Sequence, residues 1–233
     1  MTYEFRNERT IQEYFLERCY EGKLLNLEDY LFFGDFYNVP LSSYPPENIK
    51  SIASARAMAQ EFKKLGCDVI LSGQGGDTVF VDDLRIKSNI KFNINNEFKN
   101  DWETLHIYEE YGLKLLSFYE YSPLIDFFTS IRIGEKEDPL KIFARRYFQP
   151  ILPPLLSDYC YVSDFFGYSK YGLEKSKEEA RKVMEEAFQL SQNNFFNQPE
   201  FSDIDVLGFE YKDYIRYCGT LSAAVWVRNL NTL

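Results

Sequence analysis

The chain has 233 residues, a formal net charge of −10 and an aromatic share of 18%, with 21 Phe and 18 Tyr. That much aromatic surface excludes a disordered chain, and the acidity excludes a generic DNA or RNA binder, whose phosphate contacts need Lys and Arg. An acidic chain still accommodates a single nucleotide, because local amides, one Lys and a metal ion suffice for that.

Taken in chain order, the first stretch, about Glu8 to Phe33, reads as a helix, with Ile11, Tyr14, Phe15 and Leu24 at loose helical spacing. Gly34, Pro40, Ser42, Ser43, Pro45 and Pro46 then predict an irregular connection. A second helix is expected from about Glu47 to Leu65, with Ile49, Ile52, Ala55, Ala59 and Phe62 along one side and Gly66 at its C-terminal cap. Cys67–Leu71 follows as a short, buried strand that runs into Ser72-Gly73-Gln74-Gly75-Gly76-Asp77. Helix, glycine, strand and glycine-rich turn in succession is the grammar of a parallel α/β sheet. Residues 86–100 are rich in Asn and Lys and read as an exposed loop. Beyond Asp101 the chain reads as helices at about 101–111, 123–131, 138–148, 174–190 and 203–217, with few strand signals. The charge-dense stretch from Glu174 reads as a solvated helix face. The expectation is an α/β fold: an α/β part over 1–100 carrying the turn, and a mostly helical part over 101–233.

The cysteines, Cys19, Cys67, Cys160 and Cys218, form no C-x-x-C pair and no zinc spacing, so they are expected as reduced, mostly buried thiols of a cytoplasmic protein. The first residues show no apolar signal core, and no run reaches the ~18 apolar residues of a membrane span. His106 is the sole histidine and reads as structural. Trp102 and Trp226 read as core or interface anchors, Asp82-Asp83 as a hydrated loop, and the Tyr- and Phe-rich stretch 158–171 as a buried wall or a subunit contact.

Most of the chemistry concentrates at Ser72–Asp77. Its glycines let backbone approach a ligand closely, and they permit amides to converge on an anion. Asp77 is suited to a magnesium ion that bridges phosphate oxygens. The same glycines also suit a plain tight turn, and the pattern is neither a Walker loop nor a dinucleotide fingerprint.

Val-Ile-Leu-Ser-Gly-Gln-Gly-Gly-Asp resembles the second signature of the asparagine synthetase domain, Leu-Ser-Gly-x-Gly-x-Asp-Glu. Pro123-Leu124-Ile125-Asp126 resembles that family's Pro-Phe-Leu-Asp segment. Tyr168-Ser169-Lys170-Tyr171-Gly172 resembles its lysine loop, Arg-x-Lys-x-Gly. The three stand in the family's order over roughly residues 35–175. The resemblance implies a partial sheet of the PP-loop ATP pyrophosphatase type, and a ligase that uses ATP and Mg²⁺ to adenylate a carboxylate before an amine attacks. It implies that Leu71, Ser72, Gly73, Gly75 and Gly76 face the nucleotide and that Asp77 binds metal. Gln74 and Glu120 would handle the substrate, and Lys170 would stabilise charge during acyl transfer. The substrate would be a small carboxylate or a peptide, the latter in natural-product maturation.

Departures from the family bound these roles. Gln74 is neutral and cannot be a general base, although it can hydrogen-bond a substrate. Thr78 replaces the usual Glu, and Val81-Asp82-Asp83 the usual Gly-Gly-Tyr. Tyr119 holds the place of the family's acid, with Glu120 beside it, and either residue fits the site face. Nothing in residues 1–70 matches Ser-Gly-Gly-x-Asp-Ser, the family's pyrophosphate loop, and no Cys stands at position 2 for a glutamine-hydrolysing domain. The expectation is a truncated or split half whose partner is a separate chain with that loop, and which is inactive alone. The alternatives are a non-catalytic pseudo-enzyme or partner subunit, and an unrelated all-helical interaction protein if 67–77 is not strand and turn.

Overall fold

A computed structural model describes residues 13, 14, 16–18, 30–73, 102–124, 126, 150, 165–191 and 205–231. It divides into two compact units, interleaved along the chain. Unit 1 is Met1–Leu25, Val69–Lys99 and Leu115–Ser163; unit 2 is Asn26–Asp68, Asn100–Lys114 and Asp164–Leu233. Both draw on residues from either side of residue 100. Among the described residues the fold is mixed α/β and mostly helical, with one small two-stranded parallel sheet. The readings of 86–100, Asp82-Asp83, Cys19, Cys160 and the helix at 138–148 lie outside the described residues, as does most of the first helix.

Unit 2 begins with a departure from expectation. Residues 32–37 form turns, not the end of a helix, and Phe33 and Asp35 sit at φ 63 and φ 52. Positive φ is costly for an aromatic residue, so something must hold it. Phe33 is buried; its amide donates to Lys50 O at 2.9 Å, and its carbonyl accepts from Ser176 Oγ at 3.0 Å.

A 3-10 turn at Ile49–Ser51 leads into α1, Ile52–Lys64. The expected face is buried at Ile49, Ile52, Ala55 and Ala59. Its alanines allow close approach of α2, Trp102–Glu110, where Phe62 packs against Tyr108 with ring centroids 6.2 Å apart. Both helices end the same way. Gly66 (φ 76) closes α1 with Gly66 N–H donating to Lys63 O and Cys67 N–H to Phe62 O, each at 3.0 Å. Gly112 (φ 67) closes α2 with Gly112 N–H donating to Glu109 O at 2.8 Å and Leu113 N–H to Tyr108 O at 2.9 Å. These are Schellman caps, which need a left-handed residue and therefore glycine.

A strand follows each cap: β1, Val69–Ser72, after Gly66, and β2, Lys114–Ser117, after Gly112. Strand β1 stands where a strand is expected, and β2 where none is. Nor is β1 buried as expected: Val69 and Leu71 are 52% and 75% exposed.

The rest of the described unit 2 is α3 (Phe165–Lys175), α4 (Lys177–Leu190) and α5 (Tyr211–Leu230). The expected helix at 174–190 is α4, which starts after a break at Ser176, and the one expected at 203–217 starts and ends later. Val183, Met184 and Ala187 of α4 and Leu221, Ala224 and Val225 of α5 are buried, with Arg228 paired to Glu186 at 2.9 Å. Helix α5 also anchors the irregular segment before α1. Trp226 Nε1 donates to Ser42 O at 3.0 Å, Asn229 Nδ2 donates to Tyr37 O at 3.3 Å, and Ser222 Oγ donates to Pro46 O. Trp226 is therefore an anchor, as expected, and buried Trp102 is core. No described helix is long and apolar enough to cross a membrane.

Candidate functional site

The described part of the glycine-rich turn belongs to unit 1. Strand β1 delivers Leu71 and Ser72 to its carboxyl end, followed by Gly73. Gln74, Gly75, Gly76 and Asp77 lie outside the described residues. In a parallel pair the carboxyl ends of both strands share one edge, which is where open α/β sheets bind ligands. The edge therefore joins Ser72–Gly73 to the end of β2, where a 3-10 turn spans Phe118–Glu120. Phe118 and Tyr121 are 57% and 63% exposed, and Tyr119 is half-buried, edge-on to Phe118 at 5.5 Å. The Glu120 backbone lies in that turn; its side chain is outside the description. Pro123 falls in a helical stretch at 122–124, where its missing N–H costs little near a helix start.

Fit to magnesium is tested by the donors at hand. Among the described residues no group of three or more His, Cys, Asp or Glu is arranged to hold a metal. A Cβ built at Gly73 meets nothing within 4 Å, so that end of β1 is open and no described cradle surrounds it. The described residues alone do not form a magnesium site.

Lys170 belongs to unit 2, and its surroundings differ from the expected loop. Residues 168–172 are interior to α3. Lys170 Nζ donates to Leu207 O at 2.9 Å and to Phe209 O at 3.3 Å, and it lies 4.6 Å from the Phe166 ring centroid. Its charge serves the turn that precedes α5. Gly172 has a packing reason of its own. A Cβ built there would overlap the Phe32 carbonyl oxygen and come within 3.1 Å of Phe32 Cβ. Helix α3 touches backbone at that point, and only glycine fits.

One residue that sequence reasoning missed is Glu103. Its carboxylate is completely buried and accepts from the amides of Glu47 at 2.5 Å and Asn48 at 3.4 Å. Neither the 3-10 turn nor α1 has a side-chain cap of its own, so Glu103 supplies from across the unit the acceptor that this helix start needs. No local pattern signals this, because the partners are 55 and 56 positions apart.

Buried Tyr214 and Tyr217 and half-buried Cys218 form a titratable patch on α5. Burial pushes the Cys218 thiol up to about 11 and, with Cys218 nearby, the Tyr217 hydroxyl up to about 12; Tyr214 is also raised, mainly by burial. A reactive cysteine needs its pKa lowered, so Cys218 is not a thiolate at neutral pH. His106 is exposed, and its Nδ1 lies 2.9 Å from Trp102 O in a helical contact, consistent with a structural role.

No protein-family model matches the chain, and neither a curated protein nor a solved structure matches it. What fold and site define is a class: a mixed α/β chain with a parallel strand pair whose carboxyl edge carries the start of a glycine-rich turn.

Proposed function

We propose that this chain forms one wall of an ATP-using, amide-forming site of the asparagine-synthetase type. In this reading Ser72–Gly76 faces the nucleotide, Asp77 binds Mg²⁺, and the substrate is a small carboxylate or a peptide. The PP-loop type of sheet and a cytoplasmic location belong to the same proposal. The observation that carries it is the doubled helix–glycine–strand unit, which brings the Leu71-Ser72-Gly73 end and the segment before Pro123 to one sheet edge. The opposing wall, a Ser-Gly-Gly-x-Asp-Ser loop, has no match in residues 1–70 and must come from elsewhere.

Lys170 favours a second reading, a partner subunit without chemistry of its own. Its ammonium already meets two carbonyls, so a catalytic role requires the turn at 205–209 to release it.

Pyrophosphate–ATP exchange with Mg²⁺ separates the two. The chain alone gives only background. Supplied with the half that carries the missing loop, it exchanges, and Asp77→Ala abolishes the exchange. Strong exchange by the chain alone would refute an incomplete site. Exchange unaffected by Asp77→Ala would remove Asp77 as a metal ligand, and no exchange with the half supplied would favour the partner subunit.

A further inference from the structure

Register decides which side chains share a face of the sheet. The Lys114 amide donates to Asp68 O at 2.9 Å, which in a parallel ladder sets residue 114 beside 69. Residue 116 then stands beside 71, and 118 beside 73. Exposure agrees on both strands: Val69, Leu71, Lys114 and Leu116 are exposed, while Ile70, Ser72, Leu115 and Ser117 are half-buried. Ser117 is still extended, at φ −93 and ψ 126, so the alternation continues and Phe118 follows Leu116 onto the exposed face. Carried one step past both strand ends, the same register sets Phe118 beside Gly73, which has no side chain and open space where one would stand. The result is a bare strip of backbone at the carboxyl edge, bordered by Leu71, Leu116 and an aromatic ring.

The chemistry of this strip selects its ligand. A flat ring can lie against glycine backbone and stack on Phe118, while the leucines cover its edges. Among the described residues of this face the charged one, Lys114, stands at the other end of β2, away from the strip. We propose that Gly73, Leu71, Leu116 and Phe118 form a nucleobase subsite, with Phe118 as the stacking residue. This rests on the ATP reading above and goes beyond it by assigning the base to Leu116 and Phe118, at and just past the end of β2, together with Leu71 and the first glycine of the turn.

Titration of the full chain with adenosine, Mg·ATP and magnesium tripolyphosphate, read by saturation-transfer NMR, tests the subsite. Adenosine and ATP compete for one site. Phe118→Ala weakens both about tenfold, the size expected for loss of one base–aromatic stack, while tripolyphosphate binding is unchanged. Phe118→Tyr keeps the affinity, and Gly73→Val lowers it for adenosine. Phe118 is exposed, so an unchanged thermal midpoint in Phe118→Ala accompanies the loss. ATP binding that is indifferent to Phe118→Ala overturns the subsite and leaves the ATP reading standing. Absence of adenosine binding in the unsubstituted chain also overturns the subsite, whereas the ATP reading falls only if exchange fails with the missing half supplied.

Discussion

Glu103 permits a sharp test of how unit 2 is held together. Its buried carboxylate meets two amides at the start of the 3-10 turn that opens α1. Replacing it with alanine removes both acceptor contacts and strands the two N–H groups. At about 1.5 kcal/mol for each amide left without its buried acceptor, the loss is about 3 kcal/mol. The value stays at the low end because Glu47 is itself exposed, so water reaches its amide after truncation. Gln at this position keeps an acceptor oxygen, so Glu103→Gln loses about 1 kcal/mol or less. Urea unfolding followed by tryptophan fluorescence measures both, since Trp102 adjoins Glu103. The expected order is parent, then Gln, then Ala, with unchanged slopes. A Glu103→Ala loss below about 1 kcal/mol would refute the capping role. Equal losses for Ala and Gln would show that charge, not acceptor geometry, matters there.

Three further outcomes follow from packing and titration. Gly172→Ala drives a methyl group into the Phe32 carbonyl and destabilises unit 2 by about 3 kcal/mol, the upper range for overpacking, as read from chemical denaturation. Trp226→Phe keeps most of the ring but loses the bond to Ser42 O, costing about 1 kcal/mol in the same assay. Stability falls at alkaline pH: the folded state holds the Cys218 proton to about 11 against an ordinary 9.0, so the contribution is complete below pH 9.0 and lost as pH rises through about 11. A shift of that size corresponds to about 2–3 kcal/mol, and Cys218→Ala removes this early step from the pH profile of the thermal midpoint, leaving the later Tyr217 loss.

Helix α1 was legible because Ile49, Ile52, Ala55 and Ala59 keep helical spacing and Gly66 ends it. The same logic would have found β2, since Gly112 followed by Leu-Lys-Leu-Leu-Ser repeats the pattern of Gly66 and β1. It was hidden by brevity, as a four-residue strand without β-branched residues carries little periodic signal. At 168–172 the resemblance to a lysine loop implies a loop where α3 stands; Gly172 answers to the Phe32 backbone, a contact between distant parts of the chain. The turn conformation of Phe33 depends on Ser176, 143 positions later, which no local rule can anticipate. At the candidate site, Ser72 and Gly73 were readable as a motif. The engagement of Lys170 was not, because its carbonyl acceptors lie 37 and 39 positions away.

The tethering of residues 37–46 by α5 also dictates when this unit can finish folding. The hydrogen bonds from Ser222, Trp226 and Asn229 span 176, 184 and 192 positions. At ribosomal speeds of roughly 5–20 residues per second, the early segment waits on the order of 10–40 s for its last tethers to be synthesised. Until then its prolines and aromatic rings lack their final partners, and a chain interrupted before Ser222 would never obtain them. A protein built this way is exposed to chaperones and proteases throughout its own synthesis, and its yield in cells should follow the pace of translation as well as the strength of its core.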